Sequence, residues 1–196
     1  MKFGMLIALL IGGLAIAGAI YYEPAALKTE PASVQPSAPV EKLPASWFYP
    51  NRSSRLVGME GKSAPEIRVK DWIGKPTSIS ELRGRVVVID FWATWCGPCV
   101  RSIPHNIEMV NQFSPLDFAF VGIHESNRGW ERMAAMAQDR KINYPLAIDV
   151  GNSTTSAYGV SFFPTYVVID RTGIVRGAGL APSFVEKAVE KLLSES

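Results

Sequence analysis

The chain is poor in the residues that bind metals: two cysteines and two histidines in 196 residues. A structural zinc site takes four ligands, usually as two Cys or His pairs at matched spacing, and Cys96 and Cys99 have no such second pair. No metal or other cofactor is expected. An excess of charge is missing too, with 20 Lys and Arg against 18 Asp and Glu, a formal net charge of +2, and no basic run or stripe. That argues against nucleic acid as a partner. No internal repeat is present, which excludes solenoids and propellers. An apolar content of 47% supports one compact domain, and the length leaves little room for a second.

What the chain does have is the stretch from Val86 to Arg101, VVVIDFWATWCGPCVR. A short apolar run rich in β-branched residues leads through a small turn to Cys-Gly-Pro-Cys, which reads as a buried strand feeding a helix. The two sulfurs can pair, hold something together or react. A disulfide between residues three apart closes too short a loop to stabilise much, which weakens the purely structural reading. A helix beginning at Cys96 would place that sulfur among unpaired backbone N–H groups, at the positive end of the helix dipole. A thiolate is favoured there, and its pKa falls from about 8.5 towards roughly 3.5 to 7.5 in such settings. Cys96 is then the nucleophile. Cys99, one turn on, can attack the mixed disulfide that Cys96 forms, closing the redox-active disulfide Cys96–Cys99. Gly97 permits close approach, and Pro98 suits a first helical turn.

Upstream, Phe3 to Tyr22 runs 20 residues without a charge. At about 1.5 Å per residue a helix of that length spans a hydrocarbon core of about 30 Å. We read residues 1–22 as a signal anchor; the alternative is a signal peptide cleaved near Ala17-Gly18-Ala19, leaving a soluble periplasmic protein. Residues 23–50, with Pro24, Pro31, Pro36, Pro39, Pro44 and Pro50, read as a proline-rich linker. Within it, Trp47-Phe48-Tyr49 is expected to lie on the domain formed by residues 51–196.

The run Asp90-Phe91-Trp92-Ala93-Thr94-Trp95-Cys96-Gly97-Pro98-Cys99 resembles the active-site segment of thioredoxin. The longer stretch from Gly61 to Cys99 is similar to the opening of membrane-tethered thioredoxin-like proteins of the TlpA and cytochrome c maturation type, and also to that of peroxiredoxins (AhpC/TSA-type domains). The resemblance implies an α/β chain of thioredoxin-like fold, a central mixed sheet flanked by helices; Glu66 to Lys70 and Thr77 to Ile79, on either side of Gly74-Lys75-Pro76, read as an N-terminal hairpin extension. The resemblance also places Asp90 as the buried acid that takes a proton from Cys99. Phe162-Phe163-Pro164-Thr165 resembles the cis-proline loop that faces the reactive pair. On that likeness Phe163, Pro164 and Thr165, with Trp95, Gly97 and Pro98, form the substrate-binding surface. Ser102 stands where many TlpA-type proteins carry an acid, which weakens a link to haem attachment and points to proton handling of the thioredoxin kind.

The rest of the domain reads as alternating strands and helices. Asp117 to His124 is a strand, followed by a helix over Gly129 to Lys141 with Trp130, Met133, Ala134 and Ala137 on its buried face. Next come a strand from Leu146 to Val150 and a short helix capped by Asn152. Strands in such sheets end towards the active site, so His124 and Glu125 are candidate modulators of the Cys96 thiolate or contacts to the substrate.

The expected function is that of a membrane-anchored, extracytoplasmic thiol-disulfide oxidoreductase at the cytoplasmic membrane. Its substrates would be disulfide-containing proteins, and a membrane partner would supply electrons. The Gly-Pro pair is that of thioredoxin, near −270 mV against about −120 mV for DsbA, which favours reduction over oxidation. The alternatives are a thiol peroxidase and a dithiol module that handles Cu(I).

Overall fold

The computed structural model describes residues 41–195. In chain order these form α1 (Ser54–Val57), β1 (Val69–Ile73), β2 (Val86–Trp92), α2 (Gly97–Gln112), β3 (Phe118–His124), α3 (Met133–Asp139), β4 (Leu146–Asp149), α4 (Ser153–Tyr158), β5 (Thr165–Ile169), β6 (Val175–Leu180) and α5 (Val185–Ser194). The expected anchor and the first part of the linker lie outside the described residues.

Six strands make one mixed sheet in the order β1-β4-β3-β2-β5-β6. The β2–β3 and β3–β4 pairs are parallel, and the β1–β4, β2–β5 and β5–β6 pairs are antiparallel. Because β2 has neighbours on both edges and is covered on both faces, all seven of its residues are buried. That double burial is why it reads as a continuous apolar run rather than an alternation. Side chains still alternate: Val86, Val88 and Trp92 join the cluster beneath α2 and α5, while Val87, Ile89 and Phe91 join the opposite cluster with Leu56, Ile79 and Tyr158. Asp90 therefore points towards α2.

The entrance hairpin does not form. The Glu66 carboxylate accepts the backbone N–H groups of Ile79 and Ser80, at 3.0 and 2.8 Å, which diverts Thr77 to Ile79 from strand pairing and into a 3-10 turn over Ser80–Leu82. β1 instead adds antiparallel to β4 at the sheet edge. The helix expected over 129–141 is also shorter. Gly129 adopts a left-handed φ of 80°, a 3-10 turn covers Trp130–Arg132, and α3 follows. Met133 and Ala137 are buried as expected, whereas Trp130 and Ala134 face outward.

Asn152 precedes α4 but does not cap it with its side chain, because its own φ is left-handed at 58°. Asp149 accepts the N–H groups of Thr154 and Thr155 instead, at 2.8 and 2.9 Å, along with the Thr155 hydroxyl. The end of the proline-rich stretch lies on the domain. Leu43 is buried, the Trp47 ring stacks on Phe184 with centroids 6.0 Å apart, and Phe48 bridges to Leu180.

Candidate functional site

Strand β2 runs out at Trp92, and a tight turn leads to α2, whose N-cap is Cys96. Its sulfur accepts the backbone N–H of Cys99 at 3.3 Å. The two sulfurs form a disulfide, with Cα atoms 5.3 Å apart. Both residues are largely covered, Cys96 at 4% exposure and Cys99 at 1%, while Trp95, Gly97 and Pro98 lie exposed around them. That burial pattern leaves Cys96 the more accessible of the pair.

The loop of residues 162–165 sits opposite. The register pairs Phe91 with Thr165, which brings the start of β5 alongside the end of β2. The peptide bond from Phe163 to Pro164 is cis. The Phe163 ring meets Trp95 edge-on at 6.0 Å, so the loop and the reactive turn share one surface. Pro164 and Thr165 are buried, and Thr165 is held by a 2.6 Å hydrogen bond from its hydroxyl to the Phe162 carbonyl.

Asp90 lies fully buried below α2. Its Oδ2 accepts from the Asn106 amide at 3.2 Å, and its Oδ1 has no partner among the described residues. Burial pushes its pKa up to about 8, against the opposing pull of the Asn106 hydrogen bond. A carboxyl group with that proton affinity can both take and return a proton near neutrality.

His124 and Glu125 reach the turn that precedes Cys96, not its sulfur. The His124 Nε2 accepts the N–H of Thr94 at 2.8 Å, and Nδ1 lies 2.6 Å from the Glu125 carbonyl. The Glu125 carboxylate accepts from the Trp95 indole at 2.9 Å and from the N–H groups of Asn127 and Arg128. The Arg128 guanidinium stands over the same indole, 4.5 Å from its centroid. Trp95 is thus gripped from two sides while 40% exposed. A Cβ at position 129 would fall 2.6 Å from the Thr94 hydroxyl and 3.0 Å from the Trp95 ring, so glycine is required there.

A family model described as Redoxin matches residues 59–193. The chain belongs to the redoxin family. This redoxin chain is 33% identical over 123 residues to protein DipZ of Mycobacterium tuberculosis, covering 58% of its own length but only 18% of DipZ. It is 33% identical over 118 residues to the thiol-disulfide oxidoreductase ResA of Bacillus subtilis, covering 59% of this chain and 64% of ResA. The chain therefore spans less than two thirds of either relative. Among solved structures it resembles a thiol:disulfide interchange protein of the thioredoxin family from Chlorobium tepidum, with a TM-score of 0.59, 26% identity, and coverage of 67% of this chain and 96% of that one. The thioredoxin-like fold is shared.

Three features of the redoxin site are absent from the sequence reading. Asn106, Tyr166 and Thr94 are buried polar groups bonded to Asp90, to each other and to His124. Asn106 carried a signal: it follows Cys99 and Ile103 at i+7, on the buried face of α2, where an amide needs a partner.

Proposed function

We propose that this chain is a thiol-disulfide oxidoreductase that reduces disulfides in partner proteins through Cys96 and Cys99. The observation that carries the reading is the pairing of two sulfurs at the head of α2, on a surface shared with the Pro164 loop, with a buried carboxyl behind them. The similarity to ResA and to the Chlorobium tepidum interchange protein supports it.

In the reduced protein the Cys96 thiolate attacks one sulfur of a partner disulfide. A Cys96–partner bond forms, and the partner's other sulfur leaves as a thiolate and takes a proton. Asp90 then accepts the proton of Cys99, whose thiolate attacks the Cys96 sulfur. The Cys96–Cys99 bond closes, the partner's remaining sulfur leaves reduced, and two electrons have moved from the dithiol to the partner. Repetition requires a dithiol donor.

The same proposal places the domain outside the cytoplasmic membrane, anchored by residues 3–22. The 20-residue uncharged run supports this location, as does the stability of disulfide chemistry in such a compartment. A membrane protein that passes electrons outward would serve as the donor.

A Cys99→Ser variant tests the chemistry. It should accumulate a mixed disulfide with protein substrates that dithiothreitol releases, and no trapped adduct would sink the reading. A measured potential above about −150 mV would turn the assignment from reductase to oxidant. Fractionation of cells with and without residues 1–22 tests the anchor.

A further inference from the structure

The Tyr166 hydroxyl stands 3.2 Å from Nδ2 of Asn106 and 3.3 Å from Oδ1 of the same amide. A hydroxyl both donates and accepts, so it can bond to either end. Rotating the amide half a turn about its Cβ–Cγ bond leaves Tyr166 satisfied. At the Asp90 end the same rotation replaces a donor with an acceptor. That difference matters, because a carboxylate only accepts hydrogen bonds, whereas a carboxylic acid carries an O–H that must donate one. Asn106 is 1% exposed, so water does not readily take over either role.

We propose that Asn106 is a positioning residue that sets the pH at which Asp90 exchanges its proton, turning its NH2 to the carboxylate and its carbonyl to the acid. The inference rests on the reading of Asp90 as the base for Cys99 and adds how that base is tuned. Other elements contribute little to the charge of this site. From α2, Cys99 and Asn106 lie on the face towards Asp90; Tyr166 comes from β5, and Tyr144 precedes β4. The β3 residue opposite Asp90 is Gly122, and the buried residues of α5 are Val185, Ala188, Val189 and Leu192. Among the described residues no Lys, Arg or His bonds to the Asp90 carboxyl. A neutral amide is thus left as its controlling partner.

Hydrogen bonds to a charged group are stronger than those to a neutral one, so removing the amide penalises the carboxylate more than the acid. In the reduced protein, Asn106→Leu should therefore move the midpoint of the Asp90 carboxyl carbon resonance, followed by NMR, upward by about one pH unit. The pH midpoint of mixed-disulfide release should move by the same amount. In an Asp90→Asn background, Asn106→Leu should move neither the profile nor its midpoint. Should Asn106→Leu fail to fold, Asn106→Ala removes the same amide without adding bulk and must shift the carbon midpoint in the same direction.

An unmoved carbon midpoint in the folded variant overturns the coupling. A moved midpoint in a protein that exchanges no disulfides would support the coupling while sinking the proposed function. Neutron diffraction on deuterated crystals at pH 6 and pH 10 reads the rotation directly. The amide nitrogen should face Tyr166 at the lower pH and Asp90 at the higher, and the same end facing Asp90 at both would overturn the rotation.

Discussion

The backbone N–H of Thr94 donates to Nε2 of His124 across 2.8 Å, tying the turn before Cys96 to the end of β3. The other ring nitrogen faces the Glu125 carbonyl, which can only accept. Nδ1 therefore carries the proton and Nε2 does not, so His124 is held as one neutral tautomer. The His124 ring thereby braces the turn before Cys96. Protonating it would replace an acceptor with a second donor facing an N–H group.

A pH dependence of stability follows, and its sign is set by burial, which lowers the His124 pKa in the folded chain. The unfolded chain takes the proton near pH 6.5 and the folded one resists, so this contribution is present above about pH 6.5 and fades as pH falls below it. His124→Gln should remove that acid-side loss while costing about 1 to 3 kcal/mol at pH 8 through broken buried hydrogen bonds. The readout is the difference in urea midpoint between wild type and variant at pH 5 and pH 8, and equal differences would refute it.

Asp90 acts in the opposite direction. Its folded pKa of about 8 lies above the ordinary carboxylate value, so the folded chain holds more protons than the unfolded one between about pH 4 and pH 8. Stability should fall as pH rises through that window. Asp90→Asn should be more stable than wild type by several kcal/mol at pH 8, with the gap closing near pH 4. The same variant should slow release of the mixed disulfide by about 10²-fold or more, as expected for loss of a general base. Stopped-flow with a labelled disulfide peptide measures that step.

Glu125 holds Trp95 from below. Glu125→Ala leaves the indole N–H and the backbone N–H groups of Asn127 and Arg128 without their acceptor, and the tryptophan should become mobile. We expect KM for a protein disulfide to rise severalfold, with a smaller change in kcat. Fluorescence anisotropy of Trp95, in a background where the other tryptophans are replaced by phenylalanine, should fall. Unchanged anisotropy would show that Arg128 alone secures the ring.

Asp149→Ala and Asn152→Ala separate the two candidate caps of α4. The buried Asp149 carboxylate serves two backbone N–H groups and a hydroxyl, and losing it should cost about 2 to 4 kcal/mol. The Asn152 side chain bonds to Ser126 and Asn127 and not to the N–H groups of α4, and losing it should cost less than about 1 kcal/mol. Chemical denaturation of both variants decides, and the reverse order would restore Asn152 as the cap.

Local signals were legible where one kind of interaction dominates. The apolar run of β2, the proline at the first turn of α2 and the Cys-x-x-Cys spacing each announce their element. The entrance hairpin misled because the Glu66 carboxylate draws off the N–H groups of Ile79 and Ser80 from thirteen and fourteen residues away. Trp130 misled because a left-handed Gly129 turns the chain before the helical period takes hold.

The sequence by itself determined where the candidate chemical groups fall: two sulfurs three residues apart at the head of a helix, with an acid six residues before the first. Spacing along the chain is enough for that, since one turn of helix brings the sulfurs together. What those atoms are bonded to was decided only by the tertiary structure. Asn106 meets Asp90 and Tyr166, and His124 meets Thr94, across separations of sixteen to sixty residues. A buried polar group must find a partner, but its sequence does not say from how far along the chain that partner comes.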